Sequence, residues 1–261
     1  MQVVQAIILG LVQGLTEFIP VSSSGHLIVV GHFLGFQYSG LAFDTALDVG
    51  TLLALVMFFA RDFWELAHDL VMGGPHRKLA WYIVLGTIPA VVVGVLIEHL
   101  AETAFRSSQL VAVNLIWVGV VMWAVDRWSR QNLGLDGVTL PRALGVGLAQ
   151  AVALVPGVSR SGITITTGRL FGLDRVAATR FSFLLSAPVI AGATAKVLLT
   201  GDALSQMAAV PMVYVAGVLA AFASGYLAIK FLLAYLAKHG LGLFAAYRIV
   251  LGVLILVIGL R

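Results

Sequence analysis

The chain has 261 residues, of which 60% are hydrophobic and only 11% charged, with a formal net charge of +4 and no cysteine. Soluble domains are about 45–50% apolar and about 25% charged, so the composition excludes a water-soluble fold in favour of a polytopic membrane protein. It also excludes disulfides, thiolate metal sites and a cysteine nucleophile. The small basic excess fits loop topology; nucleic-acid binding is not expected, because no basic stripe interleaved with aromatics is present.

In chain order, Met1–Leu11 carries no lysine or arginine ahead of its apolar run, so we expect a part of the mature fold and not a cleaved signal. Val3–Gly35 is too long for one span and is broken at Ile19–Gly25, "IPVSSSG". Three spans of about 20 apolar residues are expected at roughly Leu41–Ala60, Leu79–His99 and Leu110–Val125. Pro141–Gly172 is broken again at Pro156–Gly162, "PGVSRSG". Three further spans are expected at Ala177–Leu199, Val210–Leu236 and Leu243–Leu260. Short polar loops are assigned to Arg61–Lys78, Leu100–Gln109, Asp126–Leu140, Thr200–Ala209 and Ala237–Gly242.

Irregular backbone at membrane depth is tolerated only where protein or a watery cavity surrounds it. Each broken segment therefore reads as a re-entrant helical hairpin with a functional tip. The two also match without a gap: Gln13 with Gln150, Val21 with Val158, Ser22 with Ser159, Ser24 with Ser161, and Gly25, Gly31, Gly35 with Gly162, Gly168, Gly172. These identities around one break indicate a duplication. The expected fold class is all-α: one membrane domain, 1–261, of about six transmembrane helices and two re-entrant hairpins. Its halves, about 1–128 and about 141–261, form an inverted-topology repeat with the site where the breaks meet. Arg61, Arg77, Lys78, Arg127, Arg130, Arg142, Arg175 and Lys238 fall on one side, Arg106 and Arg261 on the other. The positive-inside rule makes the first side cytoplasmic.

The polar groups at the breaks carry the chemistry. Gln13 and Glu17 share a helix face, and an ionisable group in an apolar segment marks a function more often than an exposed rim. Ser22, Ser23 and Ser24 surround the start of a half-helix near His26. One serine is expected to cap it, but three exceed that need, and a half-helix start attracts anions. Arg160, between Ser159 and Ser161, costs about 2.5–3.5 kcal/mol at membrane depth if unpaired. Its partner is either Glu17, in a purely structural ion pair, or a phosphate. Together with Gly25, Gly162 and Thr164 these groups make a phosphate cradle holding an acid, a base and nucleophiles. A carboxylate facing phosphate calls for a divalent cation, Mg2+ or Ca2+, with Glu17 as its ligand. Asp44 and Asp48 either line the cavity or face the interfacial rim. His32, Lys196, Lys230 and the five tryptophans read as packing or interfacial residues. "GVGLAQ" (145–150) lacks the strand context of a nucleotide loop.

The Q-x-x-x-E at Gln13–Glu17, the following P-V-S-S-S-G-H and the second P-G-V-S-R-S-G-x-T resemble the undecaprenyl-diphosphate phosphatase, or bacitracin-resistance protein, family of bacterial membranes. The resemblance runs over the whole chain, including "FSFLLSAPV" (181–189). Many members have glutamate where this chain has Gln13. The resemblance implies hydrolysis of undecaprenyl diphosphate to the monophosphate carrier and phosphate, serving peptidoglycan synthesis and bacitracin resistance. It also implies a multi-pass protein of the bacterial plasma (inner) membrane, active toward the extracytoplasmic face. It carries Glu17, Ser23, His26 and Arg160 over as catalytic. Gln13, Ser22, Ser24, Gly25, Ser159, Ser161, Gly162 and Thr164 become substrate-binding. Ser23 is the first nucleophile to consider, with water or His26 as alternatives. The expected partners are the polyprenyl diphosphate, membrane lipid and, among assemblies, a homodimer. The alternative reading is a polyprenyl-phosphate flippase or secondary transporter, because inverted repeats with broken helices also serve transport.

Overall fold

A computed structural model describes residues 2–36, 40–103, 107–129 and 133–259, apart from the side chains of 97–103. Arg106, Arg130 and Arg261, used above for orientation, lie outside the described residues. In chain order the helices are α1 (Val3–Phe18), α2 (Ser23–Phe33), α3 (Leu41–Phe58), α4 (Ala60–Met72), α5 (Arg77–Thr103) and α6 (Ser108–Trp128). They continue with α7 (Leu140–Val152), α8 (Arg160–Leu170), α9 (Arg175–Thr200), α10 (Ala203–Ala209), α11 (Pro211–Leu236) and α12 (Gly242–Ile258). Five of them, α3, α5, α6, α9 and α11, are long and apolar enough to cross a membrane, and α12 is a shorter apolar helix of 17 residues. The chain is an all-helical multi-pass membrane protein.

Both expected breaks are present. Pro20 lacks an N–H and pushes Ile19 out of the helical region; α1 stops at Phe18, and Ile19 is extended (ψ 133°). In the second segment α7 stops at Val152, ahead of Pro156 and Gly157. The second segment then returns to the level at which it began. Leu133, ahead of α7, donates its N–H to the Gly172 carbonyl (3.1 Å), and its own carbonyl accepts from the Asp174 N–H (2.8 Å), beyond α8.

Two expected loops are helical instead. Arg61–Lys78 contains α4, in which Phe63, Leu66 and Leu70 face inward at helical spacing while Arg61 and Glu65 pair outside it (2.7 Å). The high charge conceals an amphipathic stripe. Thr200–Ala209 likewise contains α10.

At the α4–α5 turn, Asp69 accepts from the His76 N–H (2.9 Å) and lies against the His76 and His68 imidazoles (3.0 and 3.2 Å). The His76 N–H, ahead of the His68 imidazole, holds this carboxyl below its ordinary value of 3.8. A depressed carboxyl stabilises the fold above its unfolded pKa and loses that contribution as pH falls through its folded value. Protection of the His76 amide against exchange should therefore weaken only below about pH 4. Asp69→Asn should exchange fast at neutral pH as well.

In lipid, helices associate by close packing and not by water exclusion. The first helix of each broken segment uses glycine for this, and each packs on the other half of the chain. α1 lies on α11, where Gly10 faces Gly217 and Ala220. α7 lies on α5, where Gly147 meets the Gly86 backbone. α3 and α9 pack together between them. Phe18, at the end of α1, is fixed edge-on against Phe183 (5.4 Å between centroids), which also meets Phe59 (6.2 Å). At the far end of α6, Asp126 accepts from Arg169 (2.9 Å), Arg175 (2.9 Å) and the Leu241 N–H (2.9 Å). That carboxylate gathers the end of α8 and the starts of α9 and α12 at one end of the molecule.

Candidate active site

The two breaks end in the same backbone feature. Ser22 (φ 75°) and Ser159 (φ 70°) are the non-glycine residues with positive φ among those described. Such conformations cost of order 1–3 kcal/mol and concentrate at functional sites. They occupy matched positions in the two breaks, and each precedes the first residue of a half-helix: Ser23 of α2 and Arg160 of α8. Those two side chains converge on Glu17. Ser23 Oγ donates to Glu17 Oε2 (2.7 Å), and Arg160 Nη2 binds Glu17 Oε1. A strained turn thus presents a hydroxyl from one break and a guanidinium from the other to one carboxylate.

These groups open onto a cavity of about 660 Å3. One wall is acidic and polar: Gln13, Glu17, Asp44 and Asp48, with Ser22–Ser24 at its edge. Gln13 Nε2 joins this wall together, donating to Asp48 Oδ1 (2.9 Å) and Glu17 Oε2 (3.2 Å). The facing wall has Gln150, Leu154, Val155, Pro156, Val189 and Ile190, with Ser159 and Arg160 at the tip. Leu154 holds the matched position to Glu17, so the second half keeps the shape of the first without its acid.

Apart from His26, the predicted residues divide into two groups. Gln13, Glu17, Ser22, Ser23, Ser24, Ser159 and Arg160 line the cavity, as do Asp44 and Asp48. Gly25, Ser161, Gly162 and Thr164 stand behind that wall. Gly25 lets α2 approach Val111 and Leu115 of α6. Ser161 Oγ donates to the Glu17 carbonyl (3.1 Å), Gly162 donates its N–H to Ser159 Oγ (3.1 Å), and Thr164 meets Ser182 (2.5 Å). The serine cap expected among Ser22–Ser24 is not formed; the second break has one instead, at Ser159. In the first, α2 starts at Ser23 and not near His26, and the Ser22 hydroxyl pairs with Ser24 (3.2 Å) without capping. The first N–H groups of α2 are left beside Ser23.

His26 points away from Ser23. Its Nδ1 lies 2.7 Å from the Ser22 carbonyl, which only accepts, so Nδ1 carries the proton. Nε2 then accepts from the Tyr247 hydroxyl (2.7 Å), with the two rings stacked. His32 is exposed and packs on Phe33.

Sequence reasoning passed over Arg248. It is fully buried in α12, and it donates to the Pro20 carbonyl of the first break (3.2 Å) and to those of Gly157 (2.9 Å) and Val158 (2.8 Å) of the second. Asn114 supports the same place, donating to the Pro156 carbonyl (2.8 Å). The available signal was a lone arginine inside an apolar span, which is costly at that depth and marks a partner.

The wall also has the donors for a hard cation. Mg2+ and Ca2+ take oxygen ligands, and Mg2+ uses one or two carboxylates and completes its shell with water and phosphate. Glu17, Asp44 and Asp48 supply such oxygens on one side of the cavity. Among the described residues no group of three side chains forms a ready-made metal cage.

Fold and site together define a multi-pass membrane protein with a hydroxyl–carboxylate–guanidinium centre between two broken helices. A family model described as "Bacitracin resistance protein BacA" matches residues 6–254, and the chain belongs to that family. It is 47% identical to an undecaprenyl-diphosphatase of Gemmatimonas aurantiaca over 98% of this chain and 97% of the relative. It is 46% identical to one from Moorella thermoacetica over 99% and 98%, and 43% identical to one from Desulforudis audaxviator over 98% and 97%.

Proposed function

We propose that this chain hydrolyses undecaprenyl diphosphate to undecaprenyl phosphate and inorganic phosphate, recycling the lipid carrier for cell-wall synthesis. The observation that carries the reading is Glu17, held between Ser23 of one break and Arg160 of the other. Phosphoryl transfer is catalysed chiefly by positioning and charge stabilisation, and this centre supplies both. The terminal phosphoryl group sits between Ser23 and Arg160, displacing the guanidinium from Glu17. Ser23 Oγ attacks phosphorus as its proton passes to Glu17 Oε2, and the bond to the bridging oxygen breaks, releasing the lipid monophosphate. Glu17 gives that proton up to the departing lipid phosphate; water then attacks the phosphoserine as Glu17 takes its proton, the Ser23 Oγ–P bond breaks, and Glu17 returns the proton to Ser23 Oγ as inorganic phosphate leaves. Arg160 and the N–H groups at the start of α2 stabilise the charge on the equatorial oxygens. His26, whose nitrogens are both engaged, is not the nucleophile in this scheme. Mg2+ or Ca2+, held by Glu17 with Asp48 in reach across Gln13, would neutralise the diphosphate against the acidic wall. The apolar facing wall accepts the first prenyl units.

The breaks are re-entrant hairpins of an inverted repeat in this reading. The Leu133–Leu173 return and the exchanged packing of α1 and α7 support that topology. The basic residues at the ends of α6 and α11 and the starts of α5, α7 and α9 support a cytoplasmic position for that side in a bacterial inner membrane. The family resemblance implies that the site opens extracytoplasmically.

Phosphate release from a polyprenyl diphosphate, by the full chain in detergent with Mg2+ or Ca2+, tests the assignment. Ser23→Ala should lower kcat by roughly 10^3-fold or more, by analogy with removal of other positioned catalytic groups. An unchanged kcat would exclude Ser23 as nucleophile and leave direct attack by water. The flippase or transporter alternative requires lipid phosphate to cross vesicle membranes with no phosphate released.

A further inference from the structure

One polar side chain in the cavity wall has no task in the scheme above. Gln150 of α7 is 2% exposed, and neither its amide nitrogen nor its amide oxygen has a hydrogen-bond partner among the described residues. It belongs to the lining of the same cavity as Glu17, Ser23 and Arg160. A buried amide that has lost water and gained no partner weakens a fold. The cavity lining also holds the apolar Ala153, Leu154 and Ile190, and a methionine of similar size would suit such a lining without that cost. The fold therefore gives no reason for an amide at this position.

Gln13 occupies the matched position in the first half and shows the contrast. Its Nε2 is used twice, between Asp48 and Glu17. In the second half Leu154 replaces the acid, so the Gln150 amide has no carboxylate to hold. Its N–H groups are left to a ligand that accepts hydrogen bonds, in a cavity that Arg160 also lines.

We propose that Gln150 is a phosphate-binding residue of this cavity. Its amide N–H donates to a phosphate oxygen, either of the lipid diphosphate head or of the inorganic phosphate cleaved from it. Its amide oxygen accepts from a P–OH or from water on that phosphate. The inference rests on the phosphatase reading, and it adds a contact from α7 to those at the two tips.

The test compares wild type, Gln150→Met and Gln150→Glu as full chains in detergent. Melting temperature is measured alone, with inorganic phosphate, with a polyprenyl monophosphate and with a polyprenyl diphosphate. KM and inhibition by inorganic phosphate are measured alongside. We expect Gln150→Met to melt no lower than wild type without ligand. Ligand stabilisation should fall, and KM or the inhibition constant should rise about tenfold, as loss of one hydrogen bond to a charged group implies. Gln150→Glu, which sets a charge against the phosphate, should lose more. Loss confined to the lipid ligands assigns the contact to the lipid head; loss with inorganic phosphate as well assigns it to the cleaved group. An unfolded or lower-melting Gln150→Met protein, or one whose ligand constants match wild type, overturns the proposal. A wild type that is stabilised by phosphate yet releases none would sink the phosphatase reading and leave the Gln150 measurement standing.

Discussion

Replacing Arg160 with alanine should lower kcat/KM for the polyprenyl diphosphate by about 10^3-fold or more while leaving a folded protein. An arginine that stabilises a transferring phosphoryl group contributes about 10^3–10^5 to the rate. Arg160→Lys should recover only part of this, because an ammonium is a point charge without the planar fork that matches two phosphate oxygens. Glu17→Gln should cost a comparable factor by a different route. The amide keeps the hydrogen bond to Ser23 but has no capacity for its proton. The contact between Arg160 and Glu17 raises the competing view that the two form only a structural ion pair, and a double-mutant cycle separates them. A purely structural pair predicts that Glu17→Gln/Arg160→Met regains activity and stability relative to each single change, since no lone charge is left buried. The phosphatase reading predicts a double variant at least as inactive as either single one. Removing Arg160 alone leaves Glu17, Asp44 and Asp48 on the wall without its charge, so its KM should also rise, most clearly at low salt.

The parts of this centre that were legible in the sequence are those that depend on residue type and spacing. Pro20 and Pro156 each forbid a continuous helix, so both breaks could be placed to within a few residues. The gapless match set Ser23 opposite Arg160, and the structure brings both to Glu17. The remainder depends on direction and on backbone. His26 is four residues beyond the strained serine, yet its ring is aimed by Tyr247, 221 positions away, and nothing local to "SSSGH" encodes that. The start of α2 was misplaced because serine was read as a cap, whereas the turn at Ser22 takes up a positive φ and frees the hydroxyl. α4 was read as a loop from its charges, although Phe63, Leu66 and Leu70 already had helical spacing. Asp48 was legible as a polar residue in a span, but its contact with Gln13 required two helices to be in register.

Arg248→Met should have the largest effect on stability of any single change considered, and a different signature from Arg160. Arg248 donates to five backbone carbonyls, those of Pro20, Asn114, Leu115, Gly157 and Val158, at 2.8–3.5 Å. Three of these belong to the breaks, where the chain has left the helix and has no N–H of its own to offer. A broken helix inside a membrane protein is tolerated only if its stranded groups are satisfied from elsewhere, and here one guanidinium serves both breaks at once. Each carbonyl left buried without a donor costs about 1–3 kcal/mol. Losing several would consume much of the roughly 5–15 kcal/mol that separates folded from unfolded states in ordinary proteins. The expected result is a steep fall in melting temperature in detergent, with activity lost because Ser23 and Arg160 no longer meet at Glu17. Arg248→Lys should fall between, since an ammonium has three donors for five acceptors. Arg160 variants, by contrast, should melt near wild type and lose activity while still folded. If Arg248→Met melts like wild type and retains its kcat, the two breaks are held by something other than this arginine. The exchanged packing of α1 on α11 and α7 on α5 would then be the element to alter next, through Gly10 and Gly147.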